Sequence, residues 1–316
     1  MMDWTDRHCR FVHRLFSPNA LLYTEMVVAA AIVRGRALRL LEHDPAEHPL
    51  ALQLGGCDPL ELAAAARAGA AAGYDEINLN VGCPSDRVRS GAFGACLMLR
   101  PELVADCVRR MRDAVELPVT VKCRIGIDAR DDYAFFAEFA AAVIDAGVDA
   151  LVVHARAAIL GGLSPKENRE IPPLHYAHVH RLKGDRPDLP VVLNGGLVSP
   201  DAAAEHLAAG LDGVMLGRGV YHRPALLGEL EQRLIDPAFR IPEPAEVIER
   251  VAAYADGPAC RGLPLHAVTR HLHGLIAGRE GARAWRRFLA EVAARPDARG
   301  DTLRAALPLV NHAMAA

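Results

Sequence analysis

Residues 118–155, PVTVKCRIGIDARDDYAFFAEFAAAVIDAGVDALVVHA, contain two short apolar runs, PVTVKCR and DALVVHA, with an alanine-rich stretch between them. Each run has the length of one strand, whereas the apolar residues of the middle stretch recur with helical spacing. A strand, a helix and a second strand in this order predict a βαβ unit with two parallel strands.

The same alternation covers the chain from Ala20 to Gly219. It predicts an α/β fold of the (β/α)8 TIM-barrel type. We find seven candidate strands where such a barrel needs eight, and the start MMDWTD is typical of a loop after a first strand, so we expect the first strand to be missing. The candidate strands are ALLY from Ala20, PLALQLGG from Pro49, EINLNVG from Glu76, PVTVKCR from Pro118, DALVVHA from Asp149, PVVLNGG from Pro190 and GVMLGRG from Gly213.

The strand pattern stops near Asp236, and the apolar spacing beyond it is helical. The stretch IDPAFRIPEP, with its three prolines, is typical of a linker. We therefore predict a barrel domain over residues 1–235 and a C-terminal helical domain over residues 245–316.

Composition limits the classes of protein that fit. A formal net charge of −3 excludes a uniformly basic nucleic-acid coat but not a local basic patch. The seven cysteines are odd in number and form no CxxC pair, which indicates reduced thiols and neither a disulfide framework nor a zinc site. No apolar run approaches the roughly 20 residues of a membrane span. We expect a cytoplasmic protein without a metal.

Two strand ends carry side chains that could do chemistry, because the active site of such a barrel lies where the strands end. Lys122 follows an apolar run inside a strand, and a buried ammonium needs an anionic or polar partner. The alternative is a lysine that reaches past the strand end into solvent. His154 closes ALVVH and is either a site residue or a structural histidine bonded to the backbone.

The last two strands end in glycine. Asn194-Gly195-Gly196 and Gly217-Arg218-Gly219 lie where barrels commonly bind phosphate with exposed N–H groups. Either one alone is an ordinary turn, but both together predict a phosphate-bearing cofactor. No GxGxxG follows a strand, so the sequence offers no Rossmann site for a dinucleotide.

Cys83 lies just past a strand end in the loop NVGCPSDRV. Most cysteines are buried filler, but this position favours a reactive thiol. A thiol with the ordinary pKa near 8.5 is mostly protonated at neutral pH, so it could serve as a proton donor as well as a nucleophile.

A basic segment lies near the C-terminus, with seven arginines against two acids between Arg261 and Arg295. Trp285, Phe288, Leu289 and Val292 have the spacing of one helical face, so Arg286 and Arg287 point elsewhere. Such arginines bind phosphates or form a solvated face, and charge alone does not choose between the two.

Taken together, these stretches resemble the tRNA-dihydrouridine synthases, specifically their DusA-type bacterial branch. The resemblance covers nearly the whole chain, and the GCPS loop and the SPKENREIPPL segment are its most specific parts. The matching stretches are MMDWTDRHCR, LQLGG, EINLNVGCPSDRV, GAFGACLM, VKCRIGID, VVHAR, GLSPKENREIPPL, NGG, GRG, TRHLHGLI and GARAWRRFL.

The resemblance implies a reaction in two halves. NADPH reduces FMN, and the flavin hydride then goes to C6 of a flipped-out D-loop uridine while Cys83 protonates C5. The implied FMN contacts are Met1, Met2, Gln53, Lys122, His154, Asn194, Gly195, Gly196, Gly217 and Arg218. The implied tRNA contacts are Asn80, Lys166, Arg169, Arg283 and Arg286. No obligate protein partner is implied.

Two other functions fit parts of the sequence. An FMN barrel that reduces a small molecule accounts for Lys122, Asn194 and Arg218 but has no use for the arginine-rich segment. A catalytically disabled RNA-binding relative accounts for the arginines but has no use for Cys83.

Overall fold

The computed structural model describes residues 1–85 and 91–311. The chain folds into two compact units. The helical unit comprises Met1–Leu22, His43–Glu47 and the chain from Gly217 onward, and the sheet unit comprises Tyr23–Glu42 and His48–Leu216. The functional division predicted at residues 235 and 245 stays a prediction.

The sheet follows the order β1-β3-β4-β5-β6-β7-β8, with β2 also paired to β3. The pairs from β2·β3 to β7·β8 are parallel. The sheet is curled and barrel-like, but among the described residues no pairing joins β8 to β1 to close it. The strands are β1 (Leu22–Tyr23), β2 (Val27–Val28), β3 (Leu50–Gly55), β4 (Glu76–Val81), β5 (Val119–Arg124), β6 (Ala150–His154), β7 (Val191–Asn194) and β8 (Gly213–Met215).

The predicted fold class is confirmed, and all seven predicted strands are present in shorter form. The count of seven was wrong, because β2 makes an eighth strand. Its two valines run directly into the helix Ala29–Val33, so the apolar stretch MVVAAAIV shows no break between strand and helix. Within the described residues no strand precedes the first helix.

The helices of the sheet unit alternate with its strands, and three of the described helices start at a capping side chain. Asp58, Asp132 and Ser199 each accept a hydrogen bond from a backbone N–H in the first turn of a helix. In chain order the helices are α1 (Arg7–Phe16), α2 (Ala29–Val33), α3 (Pro59–Ala71), α4 (Pro101–Arg112), α5 (Tyr133–Asp145), α6 (Tyr176–Asp185), α7 (Pro200–Ala208), α8 (Arg218–His222), α9 (Ala225–Leu234), α10 (Pro244–Asp256), α11 (His266–Thr269), α12 (Ala282–Glu291), α13 (Gly300–Arg304) and α14 (Leu307–Asn311). In the described part of the chain no helix is long and apolar enough to cross a membrane.

The helical unit has a core of its own around Trp285. This side chain is fully buried, and its indole N–H donates to the carbonyl of Leu272 over 2.7 Å. Phe16 of α1 and Val251 of α10 belong to the same apolar cluster. The N-terminal helix and the C-terminal helices therefore share one core.

Asp6 ties the start of α1 to the segment before α12. Its Oδ1 atom accepts from the N–H of Cys9 over 2.9 Å and lies 3.0 Å from Nε2 of His271, while Oδ2 pairs with Arg270. Burial alone would raise the pKa of Asp6. The hydrogen bond and charge of His271, with the bonds from Cys9 and Arg270, outweigh burial and hold this pKa well below its usual range.

Replacing Asp6 by Asn should lower the free energy of unfolding by about 2 kcal/mol at pH 7, because the cap is kept while the charge-assisted bonds are lost. The folded pKa lies below the unfolded value of about 3.9, so this stabilisation is present above that pH and is lost as the pH falls through the folded pKa. Urea unfolding at pH 7, 5 and 3 would show that the difference in unfolding free energy between wild type and Asp6→Asn becomes smaller as the pH falls. Both tryptophans, Trp4 and Trp285, lie in the helical unit, so their fluorescence reports this unit.

The matched control is Asp188→Asn, at an exposed aspartate of the sheet unit, which should leave the fluorescence transition unchanged. A gap between wild type and Asp6→Asn that stays constant down to pH 3 would contradict the role of the Asp6 charge.

Candidate active site

The register of the sheet brings the predicted site residues to one edge. Lys122 is the register partner of Asn80, and His154 is the partner of both Arg124 and Asn194. These residues lie at or near the carboxyl ends of their strands, where barrels of this kind place their chemistry. The strand-end position expected from the sequence is therefore the observed one.

Lys122 is a partly buried cation with a neutral partner. Its Nζ donates to Oδ1 of Asn194 over 2.9 Å, and Nδ2 of Asn194 donates to the carbonyl of Met215 over 2.8 Å. Burial, and then the charge of Arg124, lower the pKa of Lys122 to about 8. An ammonium bonded to a neutral amide would gain from an anionic or electron-rich ligand, which is the partner that the sequence predicts.

The turn after β7 needs both of its glycines. Gly195 and Gly196 have φ angles of +114° and +74°, in the region that favours glycine. A Cβ atom at Gly195 would lie 3.3 Å from the ring of His154, and one at Gly196 would lie 2.6 Å from the hydroxyl of Tyr176. The turn therefore keeps its backbone bare beside His154, as a phosphate-binding turn does.

The loop after β4 holds Cys83 in place through its backbone. The N–H groups of Gly82 and Cys83 both donate to Oδ1 of Asn80, over 3.1 and 3.0 Å. Arg124 donates from Nε to the carbonyl of Gly82 over 3.1 Å. The Cys83 thiol is partly exposed and lies 3.4 Å from the hydroxyl of Ser85. The rest of the motif, residues 86–88, lies outside the described residues.

Asn80 has a use that the sequence did not reveal. We expected a tRNA contact there, whereas its amide bonds the Cys83 loop through Oδ1 and donates from Nδ2 to Gln53 over 2.8 Å. The tRNA contact itself stays a prediction.

Arg124 is a buried site residue that sequence reasoning missed, although it closes the strand VKCR. It donates to the carbonyls of Asn168 and Ala157 over 2.9 and 3.2 Å. Burial lowers its pKa to about 10, and the charges of Arg169 and Arg156 act in the same direction. Three arginines thus lie near one another at this edge, which favours an anionic ligand.

The SPKENREIPPL segment is folded around Asn168. This side chain accepts from the N–H of Ile159 over 2.8 Å and donates to the carbonyl of Ile159 over 2.9 Å. Lys166 is exposed in the same segment and Arg169 is partly buried. Their predicted contacts with tRNA remain predictions.

The other predicted flavin contacts lie in the helical unit. A Cβ atom at Gly217 would lie 3.1 Å from the sulfur of Met1, and Arg218 begins α8. Met2 is exposed. The ring of Trp4 stacks on Tyr221 of α8 with 4.3 Å between centroids. The first loop and the GRG segment therefore pack together within this unit.

The face expected for α12 is confirmed. Trp285 and Leu289 are buried, whereas Arg283, Arg286 and Arg287 are exposed. Fewer arginines of the basic segment are available to phosphates than their count indicates. Arg270 pairs with Asp6, and Arg279 lies 3.7 Å from the carboxylate of Glu243.

Comparison with known proteins identifies the family. The family model described as dihydrouridine synthase matches residues 1–311. This chain belongs to the dihydrouridine synthase family. The expected family is thereby confirmed, and with it an enzyme.

Curated relatives are similar over nearly their whole length. A protein of Xanthomonas campestris named tRNA-dihydrouridine(20/20a) synthase is 56% identical over 298 residues, which are 94% of this chain and 88% of the relative. Proteins of the same name from Pseudomonas putida and Pasteurella multocida are 55% and 50% identical, over 92% and 98% of this chain and 86% and 94% of the relatives.

The burial of Lys122 predicts a pH dependence for the flavin-free protein. Its folded pKa of about 8 lies below the unfolded value of about 10.4, so between these values the unfolded state binds more protons and stability rises with pH, by at most about 1.4 kcal/mol per pH unit. Lys122→Met should lose this rise, as measured by urea unfolding at pH 7.5, 9 and 10 with far-ultraviolet circular dichroism.

The exposed Lys166 offers the control, because Lys166→Met should keep the wild-type pH profile. Equal profiles for Lys122→Met and wild type would show that burial of the ammonium costs nothing.

Proposed function

We propose that this protein reduces the 5,6 double bond of D-loop uridines in tRNA to dihydrouridine, with FMN as its flavin and NADPH as the source of electrons. The observation that carries the proposal is the thiol of Cys83 on a fixed loop at the strand ends, in a chain that matches the dihydrouridine synthase family from residue 1 to residue 311. The curated relatives named above support tRNA as the substrate. A cytoplasmic location stays a prediction.

The sheet unit fits a phosphate-bearing flavin. The cation of Lys122 lies beside Asn194, and the bare turn at Gly195 and Gly196 lies beside His154. Bound and reduced by NADPH, FMN would supply the hydride. Gln53, Lys122, His154, Asn194, Gly195 and Gly196 would hold it from this unit. For Met1, Met2, Gly217 and Arg218 a flavin contact stays a prediction.

Cys83 would supply the proton. Reduction of the double bond adds a hydride to C6 and a proton to C5, so the reaction needs an acid next to C5. A thiol serves at neutral pH because its ordinary pKa leaves it mostly protonated. Water would then return a proton to the thiolate, so that uridine, NADPH and one proton give dihydrouridine and NADP+.

The tRNA would be held by charged side chains of α12 and of the SPKENREIPPL segment. Arg283 and Arg286 are exposed on α12, and Lys166 is exposed in the SPKENREIPPL segment, so all three are available to phosphates. Arg169 and Asn80 lie deeper, which suits contacts with the reacting nucleotide and its neighbours. Backbone contacts of this kind give affinity and orientation, whereas the choice of uridine needs contacts with bases.

Incubation with tRNA from a strain without dihydrouridine, FMN and NADPH should add two hydrogens to a D-loop uridine, as read by nucleoside mass analysis. Cys83→Ala should still bind FMN and oxidise NADPH but should lose roughly 10²-fold or more of the uridine reduction, because general acids contribute about that much. The control is Cys57→Ala, at another partly exposed cysteine that follows a strand end, and it should reduce uridine at the wild-type rate.

Absence of dihydrouridine with the wild-type protein would refute the proposed function. Full reduction by Cys83→Ala would instead refute only the role of Cys83 as the acid.

Arg286→Ala should weaken tRNA binding, with a salt dependence that is shallower by about one phosphate contact, while reduction of the flavin by NADPH stays unchanged. Binding titrations between about 50 and 200 mM salt would measure the slope. Arg67→Ala removes an equal charge from an exposed site on α3 and should leave the slope at the wild-type value. Equal slopes for both variants would make Arg286 an ordinary surface charge.

A further inference from the structure

Four buried polar side chains and the half-buried Glu76 connect the base of the sheet to the Cys83 loop. We call them the Glu76–Asn80 network. In order they are Glu76, Thr120, Asn78, Gln53 and Asn80, from strands β4, β5, β4, β3 and β4. Thr120 donates to Oε1 of Glu76 over 2.6 Å, and Nδ2 of Asn78 donates to Thr120 over 2.8 Å.

The upper half of the network continues in the same way. Nε2 of Gln53 donates to Oδ1 of Asn78 over 2.9 Å, and Nδ2 of Asn80 donates to Oε1 of Gln53 over 2.8 Å. The last acceptor, Oδ1 of Asn80, receives the N–H groups of Gly82 and Cys83. Every bond therefore runs in one direction, from the loop toward Glu76.

The carboxylate at the lower end imposes this direction. An ionised carboxylate only accepts hydrogen bonds, so Thr120 must give its one proton to Glu76 and must accept from Asn78. Asn78 then turns its NH2 toward Thr120 and its oxygen toward Gln53. The orientation of each amide follows from the one below it.

Tyr23 strengthens the acceptor end. Its hydroxyl also donates to Oε1 of Glu76, over 2.7 Å. Burial raises the pKa of Glu76, and the bonds from Thr120 and Tyr23 act against burial in favour of the ionised form.

The interior location makes each bond of the network costly to lose. Asn78 is 0% exposed, Thr120 3% and Gln53 8%. A buried amide or hydroxyl without a partner costs free energy, so a break in the middle leaves unsatisfied groups on both sides. If the side-chain amide of Asn80 were reversed, its NH2 group would face the N–H groups of Gly82 and Cys83. These two donors would then face a third donor and would have lost their acceptor.

We propose that Glu76, Thr120 and Asn78 are positioning residues for the thiol of Cys83, acting through the amides of Gln53 and Asn80. The network fixes the oxygen of Asn80 toward the loop, and this oxygen fixes the backbone that carries the thiol. The importance of this positioning for catalysis rests on the proposed function. The inference that the Glu76–Asn80 network holds the Cys83 loop in place does not.

Thr120→Val tests the network with little change of shape, because valine keeps the β-branch but can neither donate nor accept. In flavin-free protein we expect backbone amide exchange at Gly82 and Cys83, followed by NMR, to become at least about tenfold faster. The alkylation rate of Cys83 by iodoacetamide should change several-fold, with Cys57 as the internal control in the same mass spectrum. Single-turnover uridine reduction should fall about tenfold.

Thr120→Ser separates positioning from general packing. Serine restores the hydroxyl but not the methyl group, so it should restore the amide exchange and alkylation of Cys83 to near wild-type values. Unchanged exchange and alkylation in Thr120→Val would overturn the proposal. So would a folded Thr120→Ser that behaves as Thr120→Val does.

A measurement on the wild-type protein covers the case in which Thr120→Val does not fold. The side-chain amide protons of Asn78, Gln53 and Asn80 should exchange at least about 10²-fold more slowly than those of a more exposed amide such as Asn19. Equal rates would refute the network. Neither exchange nor alkylation uses tRNA, FMN or NADPH, so a wild-type protein that makes no dihydrouridine would refute the proposed function without touching this inference.

Discussion

The parallel register of the sheet is the constraint on which the site depends. Side chains alternate between the two faces of a strand, so residues two apart on one strand and their register partners on the next lie on one face. Gln53 pairs with Asn78, Asn78 with Thr120, and Asn80 with Lys122. A slip of one residue in β3 or β4 would move its polar residues into the apolar layer and break the Glu76–Asn80 network. A slip in β5 would break the Lys122–Asn194 bond as well.

Strands β3, β4 and β5 place polar side chains on one face of the sheet, where an ordinary barrel is filled with branched apolar ones. The protein tolerates the Glu76–Asn80 network because each of its side chains is hydrogen-bonded, which also specifies one arrangement. Lys122 and Arg124 differ from these groups, because each is a cation whose hydrogen-bond acceptors are neutral. The energetic cost of the site is thereby concentrated in two cations, at the place where an anionic ligand could relieve it.

Local patterns in the sequence predicted the elements well and their contacts poorly. Short apolar runs gave the positions of seven of the eight described strands, and the apolar spacing around Trp285 gave the buried face of α12. Strand β2 was missed because its two valines run directly into α2, so the apolar stretch shows no break between strand and helix. Thr120 and Asn78 lie 42 residues apart and Gln53 and Asn78 lie 25 apart, so no local spacing could reveal their bonds. The charge of the basic segment was overestimated for the same reason, since Asp6 is 264 residues from Arg270.

The helical unit is assembled from distant parts of the chain, and this affects how it can fold during synthesis. Val12, Leu15 and Phe16 of α1 are buried in a cluster whose other members start at Val247. At roughly 5–20 residues per second, a ribosome needs on the order of ten to fifty seconds to reach those partners. Throughout that interval the apolar face of α1 has none of its native core, whereas the strands of the sheet unit can pair with their neighbours as they emerge. Helix α1 is thus made long before its buried partners in this core, and its apolar face stays exposed to the chaperones that bind nascent chains until those partners arrive.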